Sequence, residues 1–396
     1  MAHFDWERQV MFGKRLERRK LMAVGALALL GACSVIPKSG PVDRAPPPAP
    51  TPPPTDLPTD TERHRVALLV PLSGANAAVG QSLANAATMA VLDTNAQNLR
   101  VTTYDTSANP GEAARRAVSD GNKLILGPLL SSDIPAVVAA ARPADVPLIS
   151  FSNDETASAR DVFIMGNLPG QSVARTIDYA IGTGVRAFGA LVPRGEYGQR
   201  ASDALMASVR AGGGSVVAME AYDRSNTSIV SAAKRLAEKG GYGGVLIADG
   251  GSLAARAAPQ LKPAGEAGPR ILGTELWSGE KDVAASPALR GAWFAAVSDQ
   301  NFARFTKSYR SRFGAQPYRI ATLGYDAVLL SLRVAKSWKP GTVFPVRSLL
   351  DPGGFLGLDG PFRFSRDGKI ERAFEVREVT AGGTTVVSPA PAKFGR

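Results

Sequence analysis

Few residues of this sequence are of the types that make nucleophiles, general bases or metal ligands. The chain has one cysteine, Cys33, and two histidines, His3 and His64. A single cysteine excludes a disulfide within the chain, and so few soft ligands exclude a structural zinc site. A hydrolytic triad would have to use His64, which lies at the edge of a predicted strand, so no such triad is expected.

Other catalytic motifs are absent or incomplete. The sequence has neither a Gly-x-x-x-x-Gly-Lys phosphate loop nor a Gly-x-Ser-x-Gly nucleophile elbow. Ser231 and Lys234 match a Ser-x-x-Lys pair, but no Lys-Thr-Gly accompanies it, and the pair falls on the surface of a predicted helix. The sequence therefore predicts a protein that is not an enzyme and uses no cofactor or metal.

Polar side chains instead gather where predicted strands end. Serines follow strands in the first half of the chain, and a tyrosine and two acids follow strands in the second half. The candidate ligand-binding residues are Ser73, Ser131, Ser132, Ser152, Tyr197, Asp249 and Glu275. Ligands of parallel sheets sit beyond the carboxyl ends of the strands, where these groups would converge. Ser131 or Ser132 suits a helix N-cap with free N–H groups for an anion; an ordinary cap without a ligand is the alternative.

The segments that would position these residues alternate short apolar strands with helix-like stretches. The predicted strands are Val66–Val70, Val101–Asp105, Leu124–Leu126, Leu148–Phe151, Ala187–Val192, Ser215–Glu220, Gly244–Ala248 and Arg270–Gly273. Strands that alternate with helices form parallel sheets covered on both faces. Because the alternation restarts after Gly166, we expect an α/β fold of two doubly wound parallel-sheet lobes.

Residues 1–32 have the pattern of a secretory signal peptide. Basic residues precede an apolar run, Leu21–Leu30, which is too short to cross a bilayer but suits a signal segment. The run ends in Leu30-Gly31-Ala32-Cys33, which is similar to a bacterial lipobox. This pattern predicts a lipid on Cys33 and therefore a membrane anchor.

The segment 33–63 is predicted to be a tether between the lipid and the folded part. It has nine prolines between Pro41 and Pro58, a composition that favours polyproline II over helix or sheet.

From Cys33 onward the chain carries 40 basic and 32 acidic residues, a net charge of +8. No dense basic stripe interleaved with aromatic residues accompanies this charge, so nucleic acid is not an expected partner. Translation would begin at Met1 or Met11.

The folded part resembles the leucine/isoleucine/valine-binding protein family, which has the type I periplasmic-binding fold. The resemblance covers about residues 64–388. It rests on Val70–Gly74 with Gly80, on Leu126–Pro128 with Ser131 and Ser132, on Phe302–Pro317 leading into Gly324–Val328, and on Gly357–Gly368. Chains of this family cross between the lobes three times through a hinge. The resemblance therefore implies lobe one at about 64–165 and 298–350, lobe two at about 166–297 and 351–388, and a tail at 389–396.

The same resemblance implies roles for the candidate residues. In amino-acid-binding members, hydroxyls that match Ser131 or Ser132 and Ser152 hold the ligand carboxylate. A tyrosine that matches Tyr197 stacks on the ligand, and an acid that matches Glu275 or Asp249 holds its amino group. Where such receptors often place an aromatic residue after the third strand of the second lobe, this sequence has Asp249 followed by two glycines.

A second resemblance concerns the whole arrangement of anchor, tether and lobes. It is similar to outer-membrane lipoproteins that activate penicillin-binding proteins in peptidoglycan synthesis. Ser34, rather than an aspartate, follows the acylated Cys33, which by family analogy implies an outer-membrane location facing the periplasm. We therefore expect an activator that docks on a class A penicillin-binding protein. The alternative is a receptor that delivers amino acids or similar small molecules to the permease of an ABC transporter.

Overall fold

The computed structural model describes residues 62–225, 227–262, 267–392 and 394. The predicted signal peptide, Cys33 and the tether up to residue 61 lie outside these residues, so those predictions stay predictions. Among the helices of the described part, none combines the length and apolar character that crossing a membrane requires.

The described residues form strands and helices that alternate along most of the chain. The strands are β1 (His64–Val70), β2 (Leu99–Asp105), β3 (Leu124–Leu126), β4 (Leu148–Ser150), β5 (Val162–Ile164), β6 (Ala187–Pro193), β7 (Ser215–Tyr222), β8 (Gly244–Ile247), β9 (Arg270–Gly273), β10 (Trp293–Ala296), β11 (Phe355–Gly357), β12 (Gly360–Phe364), β13 (Ile370–Arg372), β14 (Glu375–Thr380) and β15 (Gly383–Ser388). The helices are α1 (Ala77–Asp93), α2 (Pro110–Ser119), α3 (Ile134–Ala141), α4 (Pro169–Gly182), α5 (Glu196–Ala211), α6 (Ser228–Lys239), α7 (Gly251–Leu261), α8 (Lys281–Ala285), α9 (Phe302–Phe313) and α10 (Ala321–Ala335).

Two large sheets define the two lobes. The first has the order β2-β1-β3-β4-β5 and is parallel throughout. The second has the order β15-β14-β10-β9-β8-β6-β7, in which β6 to β10 are parallel while β14 and β15 add an antiparallel edge. The predicted α/β fold of two doubly wound lobes is confirmed, and the antiparallel edge is a feature that the sequence prediction did not include.

Strand β1 shows why its sequence is apolar without alternation. Val66, Leu68 and Val70 pack in one hydrophobic core that includes residues of α1 and α10. Ala67 and Leu69 pack in another core, with residues of α2 and α3. Because helices cover both faces of this parallel sheet, each side chain from Val66 to Val70 is buried in apolar surroundings.

In both lobes, a glycine brings a helix close to the end of the strand that precedes it. A Cβ atom at Gly80 would lie 1.7 Å from the carbonyl oxygen of Pro71, and one at Gly198 would lie 1.8 Å from that of Pro193. No side chain can occupy such a position without moving the backbone. The two lobes therefore use the same strand–turn–helix packing, which fixes the loops after β1 and β6.

The last part of the chain is divided between the lobes differently from the prediction. We expected the segment 351–388 to lie wholly in the second lobe. Instead Phe355, Phe362, Phe364 and Ile370 of the small sheet β11-β12-β13 pack into the core of the first lobe. In β12 and β13 these apolar side chains alternate with Arg363 and Glu371, so one face of the small sheet needs an apolar surface, and the first lobe provides it. Only β14 and β15 join the second sheet.

Buried arginines connect the three segments that cross between the lobes. The crossings lie between β5 and α4, between β10 and α9, and between β13 and β14. Arg372, at the third crossing, donates from Nη2 to the carbonyl oxygen of Met165 at the first (2.9 Å). Arg377 donates from Nη2 to the carbonyl oxygen of Val297 at the second (2.6 Å). The guanidinium groups thus satisfy main-chain carbonyls of the hinge, and burial lowers the pKa of Arg372.

Candidate ligand-binding chamber between the lobes

A chamber of about 490 Å³ lies between the two lobes, where strands of both sheets end. It is lined by Leu129, Leu130, Ser131, Phe151, Ser152, Asn153, Gly166, Asn167, Glu275, Leu276, Ser278, Glu280, Arg319, Ile320, Thr322, Leu323 and Asp359. Its volume is in the range of small-molecule sites, and its lining mixes leucine and isoleucine side chains with a few convergent polar groups.

On the first lobe, a serine relay holds the loops after β3 and β4 together. Ser150 Oγ donates to the carbonyl oxygen of Pro128 (2.8 Å) and accepts from the N–H of Ser152 (3.1 Å). Ser152 Oγ accepts from the N–H of Asp154 (3.0 Å), which leaves the Ser152 hydroxyl hydrogen for another partner. Ser131 lines the same wall of the chamber. This wall therefore offers hydroxyl donors, as binding a carboxylate requires.

On the second lobe, Glu275 is a half-buried acid that lines the chamber. Its N–H donates to Ser172 Oγ (2.8 Å), and its Oε1 accepts from the Tyr197 hydroxyl (3.1 Å). Its Oε2 is buried and has no hydrogen-bond partner among the described residues. Burial raises the pKa of Glu275 to about 7, although the hydrogen bond from the Tyr197 hydroxyl opposes the rise. A cation beside this carboxyl would compensate the cost of its burial.

Three of the seven predicted residues, Ser131, Ser152 and Glu275, line the chamber, and the remaining four do not. Ser132 is exposed, and Ser73 lines a separate hollow of about 260 Å³ beside the loops after β1 and β2. Tyr197 lies behind Glu275, where its hydroxyl is also 2.9 Å from Thr274 Oγ1. The structure therefore gives Tyr197 a supporting position.

Asp249, predicted as an alternative acid for an amino group, is committed to other partners. Its Oδ2 accepts from the Tyr222 hydroxyl (2.5 Å) and from Arg224 Nε (2.9 Å), and only 5% of the residue is exposed. Arg224 in turn lies over the Tyr197 ring, 5.2 Å from its centroid. This contact puts a guanidinium on the ring that was expected to stack on a ligand. The structure thus places Asp249 outside the chamber lining, in an ion pair with Arg224 of its own lobe.

The sequence analysis missed an ion pair on the floor of the chamber. Arg319 Nη1 donates to Asp359 Oδ1 (2.6 Å), and Thr322 Oγ1 donates to Asp359 Oδ2 (2.9 Å). Arg319 Nη2 also reaches the carbonyl oxygen of Ser298 in the hinge (3.3 Å), and Phe302 lies against its guanidinium. The sequence did contain a signal for this pair, because Asp359 is an acid in a turn between Gly357 and Gly360. The sequence analysis used that stretch only as evidence for the fold.

A second carboxyl near this floor is fully buried. Asp326 Oδ1 accepts from the N–H of Leu358 (2.8 Å), and its Oδ2 has no partner among the described residues. Burial first, and the nearby Asp359 charge second, raise the pKa of Asp326 to about 7. Groups of three or more histidine, cysteine, aspartate or glutamate residues that would suit a metal ion were not found in the described part of the chain.

Two α/β lobes with a polar chamber between them define a binding protein of the periplasmic type. The sequence profile of the periplasmic binding protein family matches residues 64–384, so the chain belongs to this family. Membership implies a solute-binding domain that faces the periplasm, in a family that is typically not enzymatic.

Comparison with individual proteins gives the same fold. The uncharacterized protein RP748 of Rickettsia prowazekii is 28% identical over 173 residues, which are 43% of this chain and 46% of that protein, so less than half of the relative is covered. A Rhodospirillum rubrum structure assigned to a branched-chain amino acid ABC transporter has a TM-score of 0.73 and 21% identity, covering 82% of this chain and 100% of its own. LivJ of Streptococcus pneumoniae, solved with isoleucine, has a TM-score of 0.60 and 20% identity, covering 83% and 100%.

Proposed function

We propose that this protein is a receptor that binds an amino-acid-like solute between its lobes and presents it to an ABC permease. The observation that carries the proposal is the polar lining of the chamber, where Ser131 and Ser152 of one lobe share the space with Glu275 of the other. Hydroxyls donate to a carboxylate and a carboxylate accepts from an ammonium group, so the lining suits both ends of a zwitterion.

The remaining lining indicates the character of the rest of the solute. Leucine side chains at 129, 130, 276 and 323, together with Ile320, supply apolar surface. An apolar solute side chain placed there would leave water at a gain of about 25 cal/mol per Å² of buried surface. Two similar structures support the same chemistry. The Rhodospirillum rubrum structure is assigned to branched-chain amino acid transport, and LivJ was solved with isoleucine. We therefore infer a solute of the leucine, isoleucine or valine type.

The test is thermal unfolding of the full chain in detergent with a panel of single amino acids, followed by titration calorimetry. A solute at 100 times its dissociation constant stabilises a protein by about 2.7 kcal/mol. Glu275→Gln removes the charge that holds the ammonium group, and we expect affinity to fall at least tenfold. The matched control is Glu238→Gln, which changes an exposed acid on α6 and should leave affinity unchanged. Absence of a shift with every amino acid would contradict the proposal.

One observation favours the second candidate, an activator of a class A penicillin-binding protein. Arg224 lies over the Tyr197 ring and neutralises Asp249, so two positions expected to serve a ligand are already occupied within the lobe. A docking module requires exposed surface and no ligand. The test is a pull-down with the periplasmic region of a class A synthase, followed by a transpeptidase assay. Binding and stimulation without any amino-acid response would replace the receptor proposal.

A further inference from the structure

An ion pair joins the two lobes beside the chamber. Arg200, on α5 of the second lobe, lies with Nη2 2.7 Å from Asp154 Oδ1 in the loop after β4 of the first lobe. The side chains are 17% and 14% exposed, respectively. A pair this shielded from solvent is weakened little by salt, unlike exposed surface pairs.

Neighbouring groups hold both partners of the pair in place. Asp154 Oδ1 also accepts from the N–H of Thr156 (3.0 Å) and from its hydroxyl (2.7 Å). Arg200 is also 3.1 Å from Glu196 Oε2, one helical turn earlier on α5. Each charged group is thus oriented by its own lobe before the lobes meet, which lowers the entropy lost when the pair forms.

The strand order gives the positions of the two partners relative to the chamber. Counting from the hinge, the first sheet runs β5, β4, β3, β1, β2, and the second runs β10, β9, β8, β6, β7. The chamber is lined by the loops after β5, β4 and β3 and by the loop after β9, and by none of the loops after β1, β2, β6, β7 or β8. Asp154 belongs to the loop after β4, which lines the chamber, whereas Arg200 belongs to the helix after β6, which does not, so the pair lies beside the chamber.

The pair is also bonded to the residues that line the chamber. Asp154 donates its N–H to Ser152 Oγ, which faces the chamber from the first lobe. Arg200 lies one turn after Tyr197, whose hydroxyl donates to Glu275 on the opposite wall. Asp154 is therefore bonded directly to a chamber residue, whereas Arg200 is connected to the chamber through helix α5.

We propose that the Asp154–Arg200 pair is a closure contact, which holds the two lobes together beside the chamber. The enclosure of a solute rests on the proposed receptor function, whereas the coupling of the lobes does not.

The test measures amide hydrogen exchange of the full chain in detergent without any solute, in peptides that cover Ser131, Ser152 and Glu275. Arg200→Met and Asp154→Asn should each speed exchange in these peptides about tenfold, the ratio expected for losing one close charge pair across an interface. Asp154→Asn keeps an oxygen for Thr156, so the local turn is retained. Arg200→Lys restores the charge and should recover most of the protection.

The matched control is Arg142→Met, which breaks an ion pair with Asp161 (2.6 Å) inside the first lobe. It should leave exchange at the chamber unchanged. Unchanged exchange in Arg200→Met, or equal acceleration in Arg142→Met, would overturn the closure contact. Because no solute is present, the result stands even if every amino acid fails to bind, which would contradict only the receptor function.

Discussion

The Tyr197 hydroxyl donates a hydrogen bond to Glu275 Oε1 at 3.1 Å, so a residue expected to touch the ligand instead supports the acid that lines the chamber. The bond favours the ionised carboxylate, whereas burial favours the neutral acid. Because burial has the larger effect, the pKa of Glu275 rises to about 7. The charge of the chamber wall is therefore sensitive to pH near neutrality.

Affinity for an ammonium-bearing solute should depend on pH through Glu275. Below its pKa of about 7 the acid holds a proton that must leave before an ammonium group can pair with it. We expect affinity to fall by up to about tenfold per pH unit below that pKa, measured by titration calorimetry between pH 5.5 and 8. Tyr197→Phe removes a bond that lowers the pKa, so its affinity should begin to fall at a higher pH. A flat profile in the wild-type chain would contradict this assignment.

Serine substitutions should separate the chamber hydroxyls from the others. Ser131→Ala and Ser152→Ala each remove a hydroxyl from the chamber wall. We expect each to weaken the free energy of solute binding by about 1 to 2 kcal/mol. The matched controls, Ser73→Ala and Ser132→Ala, lie outside the chamber and should leave affinity unchanged. Calorimetry on the four variants decides, and an effect of Ser73→Ala equal to that of Ser152→Ala would place the solute elsewhere.

Asp249 should matter for stability and not for binding. Asp249→Asn weakens the buried contacts with Tyr222 and Arg224, and we expect the free energy of unfolding to drop by about 1 to 3 kcal/mol. Solute affinity of the folded protein should stay within about threefold, because the residue does not line the chamber. Urea unfolding and calorimetry measure the two quantities. A large loss of affinity without a loss of stability would contradict this prediction and indicate that Asp249 contacts the solute.

Asp326 should make folding less favourable as pH rises from about 4 to 7. Its folded-state pKa, raised to about 7, lies above the value of about 3.9 for an unfolded aspartate, so the folded state keeps a proton that the unfolded state has lost. The stability cost grows by up to about 1.4 kcal/mol per pH unit in this window and is constant above it. Asp326→Asn should remove that cost, so its stability relative to wild type should increase from pH 4 to 7. Urea unfolding measures the difference, and Asp203→Asn, at an exposed acid, should show no such trend.

Membrane attachment should depend on Cys33. Cys33→Ala removes the thiol that the predicted lipobox offers for acylation, and the protein should move from the membrane to the soluble fraction of cells. Density-gradient fractionation of the wild-type chain then distinguishes the outer membrane, expected from Ser34, from the inner membrane, where a permease resides. Membrane sedimentation of Cys33→Ala equal to wild type would show that another feature anchors the chain.

Local patterns were sufficient for much of the fold. The uninterrupted apolar run of β1 predicted a strand covered on both faces, because a parallel sheet between helices buries every side chain. The alternation of strands and helices restarts after Gly166, and this restart predicted a second parallel sheet and therefore a second lobe. Hydroxyls and an acid at strand ends predicted a polar site, and Ser131, Ser152 and Glu275 do meet in one chamber.

The sequence by itself determined eight strands between residues 64 and 273 and the strand-end loops that carry Ser131, Ser152 and Glu275, because these follow from short-range periodicity and from the common direction of parallel strands. Only the tertiary structure decided which charges meet. Asp249 pairs with Arg224, and Asp154 of one lobe pairs with Arg200 of the other. Likewise, only the tertiary structure shows that Phe362 and the small sheet around it pack into the core of the first lobe. These outcomes depend on contacts between residues distant along the chain, and a side chain's own sequence neighbours carry no information about which distant partner satisfies its charge or covers its apolar face.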